Sequence, residues 1–399
     1  MRNIIITGGE LFNKGAQAMT FVAVDEIHRR FPAHQIYLLS EMDMKRPAEE
    51  KEQFTFDFMG WYPLKFARCQ AHPFLHFIYK VRNGKELREA EKIYKNCDLM
   101  IDVSGYALGS VWTVNTCNRY LDHLEFAAAF DIPVYLMPQS FGPFDFDSTM
   151  QTLNDRICKL LPTAKAIFAR EQDGYDALVN TYGLTNVRLA TDLVLCNKGI
   201  DLDAVFKRRP VLKLPRIAAN SVAVIPNSMN ISVSSREAVL TIYSDIVNKL
   251  LDLGKTVYLL SHSSLDVTLC RELKEQFEKN ENVILLEQDF SCLEFNELVQ
   301  GFCYLVASRF HSIVHAYKNG VPCVALGWAT KYHDLLKLFG QERYVFDIRC
   351  QERMPELLSA IEQMDYSHTE EAEKICRVLA DIQNNNVFEI LSQEQKELK

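Results

Sequence analysis

ASRFHSIVHAYKNGVPCVALGWATK, residues 307–331, reads as a strand end, a polar loop, a helix, a turn, a second strand and a second loop. The apolar run Tyr304–Ala307 leads into Ser308, Arg309 and His311. A helical pattern follows, then a Gly-Val-Pro turn at 320–322, the apolar run Cys323–Leu326 and finally Lys331. Two strand-length apolar runs separated by a helix make a crossover unit, and such units build parallel sheets. In an open parallel sheet, ligands bind outside the carboxyl ends of the strands. Arg309 and His311 fall at such an end, beside a helix N-terminus, where backbone N–H groups and a guanidinium both suit an anion.

The same alternation extends outward in both directions. On the N-terminal side, NIIITGG (3–9) is a buried strand entering a glycine loop, and 16–31 is a helix with Ala18, Phe21, Val22, Ile27 and Phe31 mostly on one side. Strands are expected at 35–40, 98–103, 133–138, 166–169, 187–189 and 192–195, with helices at 120–129 and 173–182. Residues 197–220 break the pattern; KRRPVLKLPR (207–216) is basic and Pro-punctuated, and reads as a linker. A second series follows, with strands at 222–226, 256–261 and 283–286 and helices at 235–253, 266–279 and 294–301. A last helix is expected at 369–382, before a polar tail from Gln383. The fold class is therefore α/β, with two doubly wound, Rossmann-like halves. The expected domains are 1–200, a linker at 201–220, a second domain at 221–368, and a C-terminal helical segment at 369–399 that crosses back to the first.

With 399 residues the chain is long enough for two or three cores. An apolar fraction of 48% with 24% charged residues is that of a globular protein. The formal charge of −8 argues against nucleic acid as a partner. No signal peptide and no apolar run of spanning length is evident, so a cytoplasmic location is expected. The eleven cysteines are scattered without a CxxC pair, which suits reduced thiols. His72 and His76 lack a second pair nearby in sequence, so no metal site is expected.

Six segments, in order, resemble the polysaccharide pyruvyl transferase family. TGGELFNKGAQAM (7–19) resembles its first glycine loop and DVSGYALGS (102–110) its second. MPQSFGPF (137–144), FARE (168–171), TDLVL (191–195) and the 307–331 stretch resemble its later motifs. The resemblance spans roughly residues 3–340. The chain departs from the pattern twice: Ala16 stands where an Asp commonly follows the loop glycine, and Leu193 where a Pro follows the Asp.

The resemblance implies a GT-B-like architecture, with the two domains facing a central cleft. It also implies a reaction in which phosphoenolpyruvate donates its enolpyruvyl carbons to two hydroxyls of one sugar, giving a cyclic ketal and phosphate. No further cofactor is implied. The acceptor would be a sugar of a polysaccharide precursor, carried on a lipid in many bacterial members. The alternative is a sugar-nucleotide-dependent glycosyltransferase of the same architecture; a non-catalytic carbohydrate-binding protein is a third reading.

That chemistry needs fixed cations for a carboxylate and a phosphate, an acid for the donor's methylene carbon and a base for the sugar hydroxyls. Arg309 and His311 are the first candidates for the donor. Their other reading is an interdomain salt bridge and a helix cap. Arg170 follows a short strand; it either binds donor or pairs with Glu171 or Asp173. Lys331 either meets the donor or is solvated. Asn227, Ser228, Ser261 and His262 follow strands of the second half, and either bind ligand oxygens or cap helices. Asp102, flanked by apolar residues, is a candidate for proton transfer, because burial raises a carboxyl pKa. It is equally able to pin the following glycine turn, and Asp98 is its rival. Gly9, Asn13, Gly15, Gly105 and Gln139 lie in the loops expected to face the acceptor. Finally, 61–85 holds five Lys/Arg, six aromatics and no acid. It reads either as a surface for peripheral contact with an anionic membrane or as an ordinary packed helix.

Overall fold

A computed structural model describes residues 2–60, 84–147 and 150–392, with 74, 77, 78 and 81 of the intervening stretch. Lys65, Arg68, Lys80 and Arg82, the basic residues on which the membrane reading rests, lie outside the described residues. The chain divides into two compact units. The first comprises Met1–Leu193, Asn197–Pro210 and Asn386–Lys399; the second comprises Val194–Cys196 and Val211–Asn385.

In the first unit the strands are β1 (Asn3–Thr7), β2 (Gln35–Leu39), β3 (Asp57–Met59), β4 (Cys97–Asp102), β5 (Tyr106–Leu108), β6 (Val134–Phe141), β7 (Ala166–Ala169) and β8 (Val187–Leu189). They form a parallel sheet ordered β3-β2-β1-β4-β6-β7-β8, with β5 paired to β6. In the second unit, β9 (Ser221–Ile225), β10 (Thr256–Leu260), β11 (Val283–Leu286), β12 (Tyr304–Ala307), β13 (Cys323–Leu326) and β14 (Val345–Phe346) form a second parallel sheet. Its order is β11-β10-β9-β12-β13-β14. Both sheets therefore reverse direction between their first strand and the strand that follows the crossover, β1/β4 in one and β9/β12 in the other. Ligands bind at this switch point in doubly wound folds.

The residue pattern explains the sheets. Every residue of β1, β9, β12 and β13 is buried, which is why these strands read as unbroken apolar runs rather than alternating ones. The helices that cover them begin on caps. Asn13 accepts N–H bonds from Gly15 and Ala16, Ser235 caps Arg236–Asp252, and Ser291 with Glu294 forms a capping box on Cys292–Leu298.

Several elements differ from the sequence expectation. Of residues 192–195, expected as a strand, Leu193 to Leu195 lie in the helix Leu193–Cys196. Four successive apolar side chains satisfy a short buried helix as well as a strand. The helix expected at 120–129 begins earlier, as Val114–Ala129, because Thr113 supplies its cap. The C-terminal helix is one element, Met354–Asn384, so a boundary at 368 falls inside it. The tail beyond it is not simply polar: Phe388 and Leu391 are fully buried, and Glu389 pairs with Arg30 of the first unit.

Candidate functional site

Register brings the second unit's polar residues together. β9 and β12 are paired through Ala307 and Ile225, so the residues just beyond them meet at the switch point. Asn227 donates its amide to the Ser308 carbonyl at 3.0 Å and accepts the Met229 N–H at 3.0 Å. The same carbonyl accepts the Tyr332 hydroxyl at 2.8 Å, and the Ser308 hydroxyl lies 2.6 Å from that of Tyr243. Gly327 allows this closure. A Cβ there would stand 2.4 Å from the Tyr332 ring.

Arg309 leaves this knot in a fixed direction. Its Nε and Nη2 donate to the two oxygens of Asp266 at 2.8 and 2.6 Å, a bidentate pair, and Asp266 also accepts the Ser228 N–H at 2.9 Å. Asp266 is fully buried while the Arg309 side chain keeps 20% exposure. The carboxylate thus holds one edge of the guanidinium and leaves the other, at Nη1, toward the surface. The salt bridge weighed for Arg309 is real, but it lies within its own unit.

Helix Phe310–Lys318 starts directly after Arg309. His311 is its second residue rather than its cap, and the Ser312 hydroxyl closes onto the Arg309 carbonyl at 2.6 Å. Lys331 lies in the first turn of Thr330–Leu338, with its ammonium 5.3 Å from the Phe310 ring and 5.7 Å from that of Tyr332. Two helix N-termini, an oriented guanidinium and an ammonium therefore collect at the carboxyl ends of β12 and β13. Ser261 and His262 are buried after β10, with the His262 ring edge-on to Phe295 at 4.8 Å.

The first unit carries a different chemistry at its own switch point. Thr7 and Asp102 are register partners on β1 and β4, and the Thr7 hydroxyl donates to Asp102 Oδ2 at 2.8 Å. The Ser104 hydroxyl reaches the same oxygen at 3.0 Å. Oδ1 accepts the Ser104 N–H and the Gln139 amide, both at 3.1 Å. Burial pushes the Asp102 carboxyl above its usual range, and the bonds from Thr7, Ser104 and Gln139 only partly oppose this. Asp102 therefore pins the glycine turn, with its carboxyl held above the usual range. Asp98 pairs with Arg2 and His34. Gly8, with φ of 70°, is packed so that a Cβ would meet Ser104 Oγ at 2.1 Å. Gly9 and Gly105 lie in the loops on either side of Asp102. Asn13 is a helix cap, and Gly15 is one of the N–H groups it caps.

Arg170 belongs to the first unit and is buried there. It donates to Asp192 at 2.7 Å, to Glu171 at 3.1 Å and to the Ser140 hydroxyl at 2.7 Å. Burial alone would lower its pKa, but the two carboxylates outweigh it, so the guanidinium stays charged. Its acidic partner beyond Glu171 is Asp192, not Asp173, so the ion pair weighed against donor binding is present.

Sequence reading did not single out Thr7, Asp266 and Tyr332, and named Ser308 in the polar cluster without giving it a role. Asp266 had one usable signal, an acid shortly after a strand end, which was read only as a helix start. Glu10 was missed as well; burial and then the neighbouring Asp43 carboxylate raise its pKa, in the loop after β1. An open groove of about 660 Å³, lined by Asn3, Tyr37, Lys51, Asp57, Lys92 and Lys207 among others, lies at the amino ends of β1 and β3, the opposite end of that sheet from Asp102. Among the described residues no cluster of three or more His, Cys, Asp or Glu could hold a metal ion, and no helix is long and apolar enough to cross a membrane.

Solved structures share the fold. UDP-GlcNAc 2-epimerase from Neisseria meningitidis, bound to UDP-GlcNAc, matches with a TM-score of 0.60 at 13% identity, covering 100% of both chains. The UDP-GlcNAc 2-epimerase of Methanocaldococcus jannaschii matches at 0.56 with 14% identity, over 95% of this chain and 99% of that one. A glycosyltransferase from Rickettsia africae matches at 0.55 with 10% identity, over 100% and 97%. At these identities the likeness shows the fold, two Rossmann-like α/β units of GT-B type. No curated protein matches in sequence. The family model for polysaccharide pyruvyl transferase matches residues 13–330, which contain Asp102, Gln139, Asp266, Arg309 and His311. With its motifs at the two switch points and most of its length inside that match, the chain belongs to the polysaccharide pyruvyl transferase family.

Proposed function

We propose that the protein is a ketal pyruvyltransferase, moving the enolpyruvyl group of phosphoenolpyruvate onto two hydroxyls of one sugar in a polysaccharide precursor. The observation that carries this reading is the Asp266–Arg309 pair. It holds a guanidinium at a strand end with its Nη1 edge unpartnered among the described residues, beside the N-terminus of Phe310–Lys318. That arrangement suits a compact dianionic donor better than a solvated cation would. In this reading Arg309 takes the donor's phosphate or carboxylate. His311 hydrogen-bonds the phosphate and aids its departure, and Lys331 adds charge. Asn227, Ser228, Ser261 and His262 shape the strand ends around it. Arg170, engaged by Glu171 and Asp192, is left out of the donor pocket.

The first unit takes the acceptor, with Gly9, Gly105 and Gln139 near it and Asn13 and Gly15 opening the covering helix. The step balances as follows. The donor's C3 methylene gains a proton, one sugar hydroxyl adds to C2, the C2–O bond to phosphate breaks, and the second hydroxyl closes the ketal. Of the two hydroxyl protons, one replaces that given to C3 and one leaves with phosphate or a base. Asp102 exchanges a proton in this cycle through the half-exposed Ser104 hydroxyl, 3.0 Å away.

A sugar-nucleotide-dependent glycosyltransferase is the second reading, supported by the shared fold. Incubation with phosphoenolpyruvate and a panel of aryl and lipid-linked glycosides separates the two. Acceptor-dependent phosphate release with a matching pyruvate mass gain on the sugar is expected. Glycosyl transfer from a UDP-sugar, without phosphate from phosphoenolpyruvate, would overturn the proposal.

A further inference from the structure

We propose that Trp112, propped by Tyr106, is a stacking platform for the acceptor's pyranose ring. This rests on the sugar-acceptor part of the functional reading and names a subsite for it. The platform grows from the same loop as Asp102. After Ser104 and Gly105 the chain forms β5, which pairs with β6 at Ser140 and Phe141, one residue beyond Gln139. Tyr106 is fixed by its hydroxyl, which donates to the Gly142 carbonyl at 2.6 Å. The next turn is stapled to the same segment: the Ser110 N–H and hydroxyl donate to the Pro143 carbonyl at 2.7 and 3.0 Å. The Trp112 N–H closes onto Gly109 at 3.1 Å. The Trp112 ring then meets Tyr106 edge-on, at 5.4 Å and 70°.

Trp112, held in this way, is 40% exposed. Holding an indole in water costs free energy, and a loop pinned so as to keep it there offers a preformed apolar face. The apolar surface around it is narrow: Val111 and Val114 are exposed, but Thr113 and Asn115 interleave with them and are exposed as well. A prenyl chain or a partner helix would require a contiguous apolar patch of several hundred Å². A pyranose requires less. It offers one apolar C–H face to an aromatic ring and a rim of hydroxyls to polar neighbours, and the electron-rich ring face attracts polarised C–H groups. The half-exposed Ser104 hydroxyl, bonded to Asp102, lies just before β5, the strand that leads to the Trp112 turn.

The test is equilibrium binding of methyl hexopyranosides to the full chain by saturation-transfer NMR, without donor. Methyl glycosides carry no aryl or lipid group that could itself stack. Trp112→Ala should weaken the bound glycoside roughly tenfold, while Trp112→Phe and Trp112→Tyr stay within about threefold of wild type. Phosphoenolpyruvate affinity should be unchanged in Trp112→Ala, which also shows that the variant is folded. In turnover, the acceptor KM should rise with kcat little altered. Glycoside binding that ignores Trp112→Ala, or a wild type that binds no glycoside of the panel, overturns the proposal. So does a loss confined to the added affinity of a decyl over a methyl glycoside, which would assign the ring to the aglycone. Because binding is read without donor, the result stands whether or not pyruvyl transfer is the reaction.

Discussion

Replacing Asp102 by Asn separates its two roles, and the hydrogen bonds say how. In wild type, Oδ1 faces two fixed donors, the Ser104 N–H and the Gln139 amide, whereas Oδ2 faces two hydroxyls, of Thr7 and Ser104. An Asn side chain can keep its oxygen in the first position and place its NH2 in the second. Hydroxyls accept as readily as they donate, so both can reverse. Every contact survives, and the stability cost should be below about 1 kcal/mol, the worth of a single hydrogen bond. Asp102→Ala instead strands the two fixed donors in the interior, at about 1–3 kcal/mol each. The pH dependence has a definite sign. The folded carboxyl has the higher pKa, so between the unfolded and folded values the native state holds a proton that the unfolded chain has released. Wild-type stability therefore falls as pH rises through that window and levels off above it. The Asn variant does not titrate there and should gain on wild type across the same window. Urea melts over pH measure this directly. Turnover, read as acceptor-dependent phosphate release, should fall about a hundred- to ten-thousandfold in the Asn variant, the usual contribution of a general acid or base. Normal turnover would refute the proton role. An Asn variant as unstable as the Ala variant would refute the hydroxyl reversal.

Arg309→Ala should weaken phosphoenolpyruvate binding roughly ten- to a hundredfold, since a charge-assisted bond contributes about 1.5–3 kcal/mol; it also leaves the buried Asp266 without its cation, so the melting temperature should fall, and calorimetric titration is run well below it. Asp266→Asn keeps one acceptor oxygen for Arg309 but loses the bidentate ion pair. Donor affinity should fall less than in Arg309→Ala, with a measurable drop in melting temperature. Arg170→Met leaves two buried carboxylates, Asp192 and Glu171, without their cation, a loss of about 3–5 kcal/mol in urea melts.

The fold was legible where strands are buried on both faces. β7, β12 and β13, buried along their whole length, fall at their expected residues because a run of apolar side chains between turn signals leaves few alternatives. Short edge or bridging strands such as β3, β5 and β14 carry too few residues for a periodicity to show. The site was legible as positions but not as partnerships. Arg309, His311 and Asp102 stand at strand ends, which follows from the order of elements. The partner of Arg309 lies 43 positions away and that of Arg170 22 positions away, so the pairing exists only once crossovers have brought strand ends together. For Arg309 the unseen partner explains the orientation of a candidate ligand. For Arg170 it supplies the ion pair that competes with a ligand for the guanidinium.

The central claim is that the Arg309 corner of the second unit holds phosphoenolpyruvate. It is tested most directly by titrating the wild-type protein with phosphoenolpyruvate in the presence and absence of UDP-GlcNAc, with Arg309→Ala alongside. The account predicts saturable phosphoenolpyruvate binding that UDP-GlcNAc does not displace and that Arg309→Ala weakens. Tight binding of the UDP-sugar, with no phosphoenolpyruvate binding sensitive to Arg309, would contradict it.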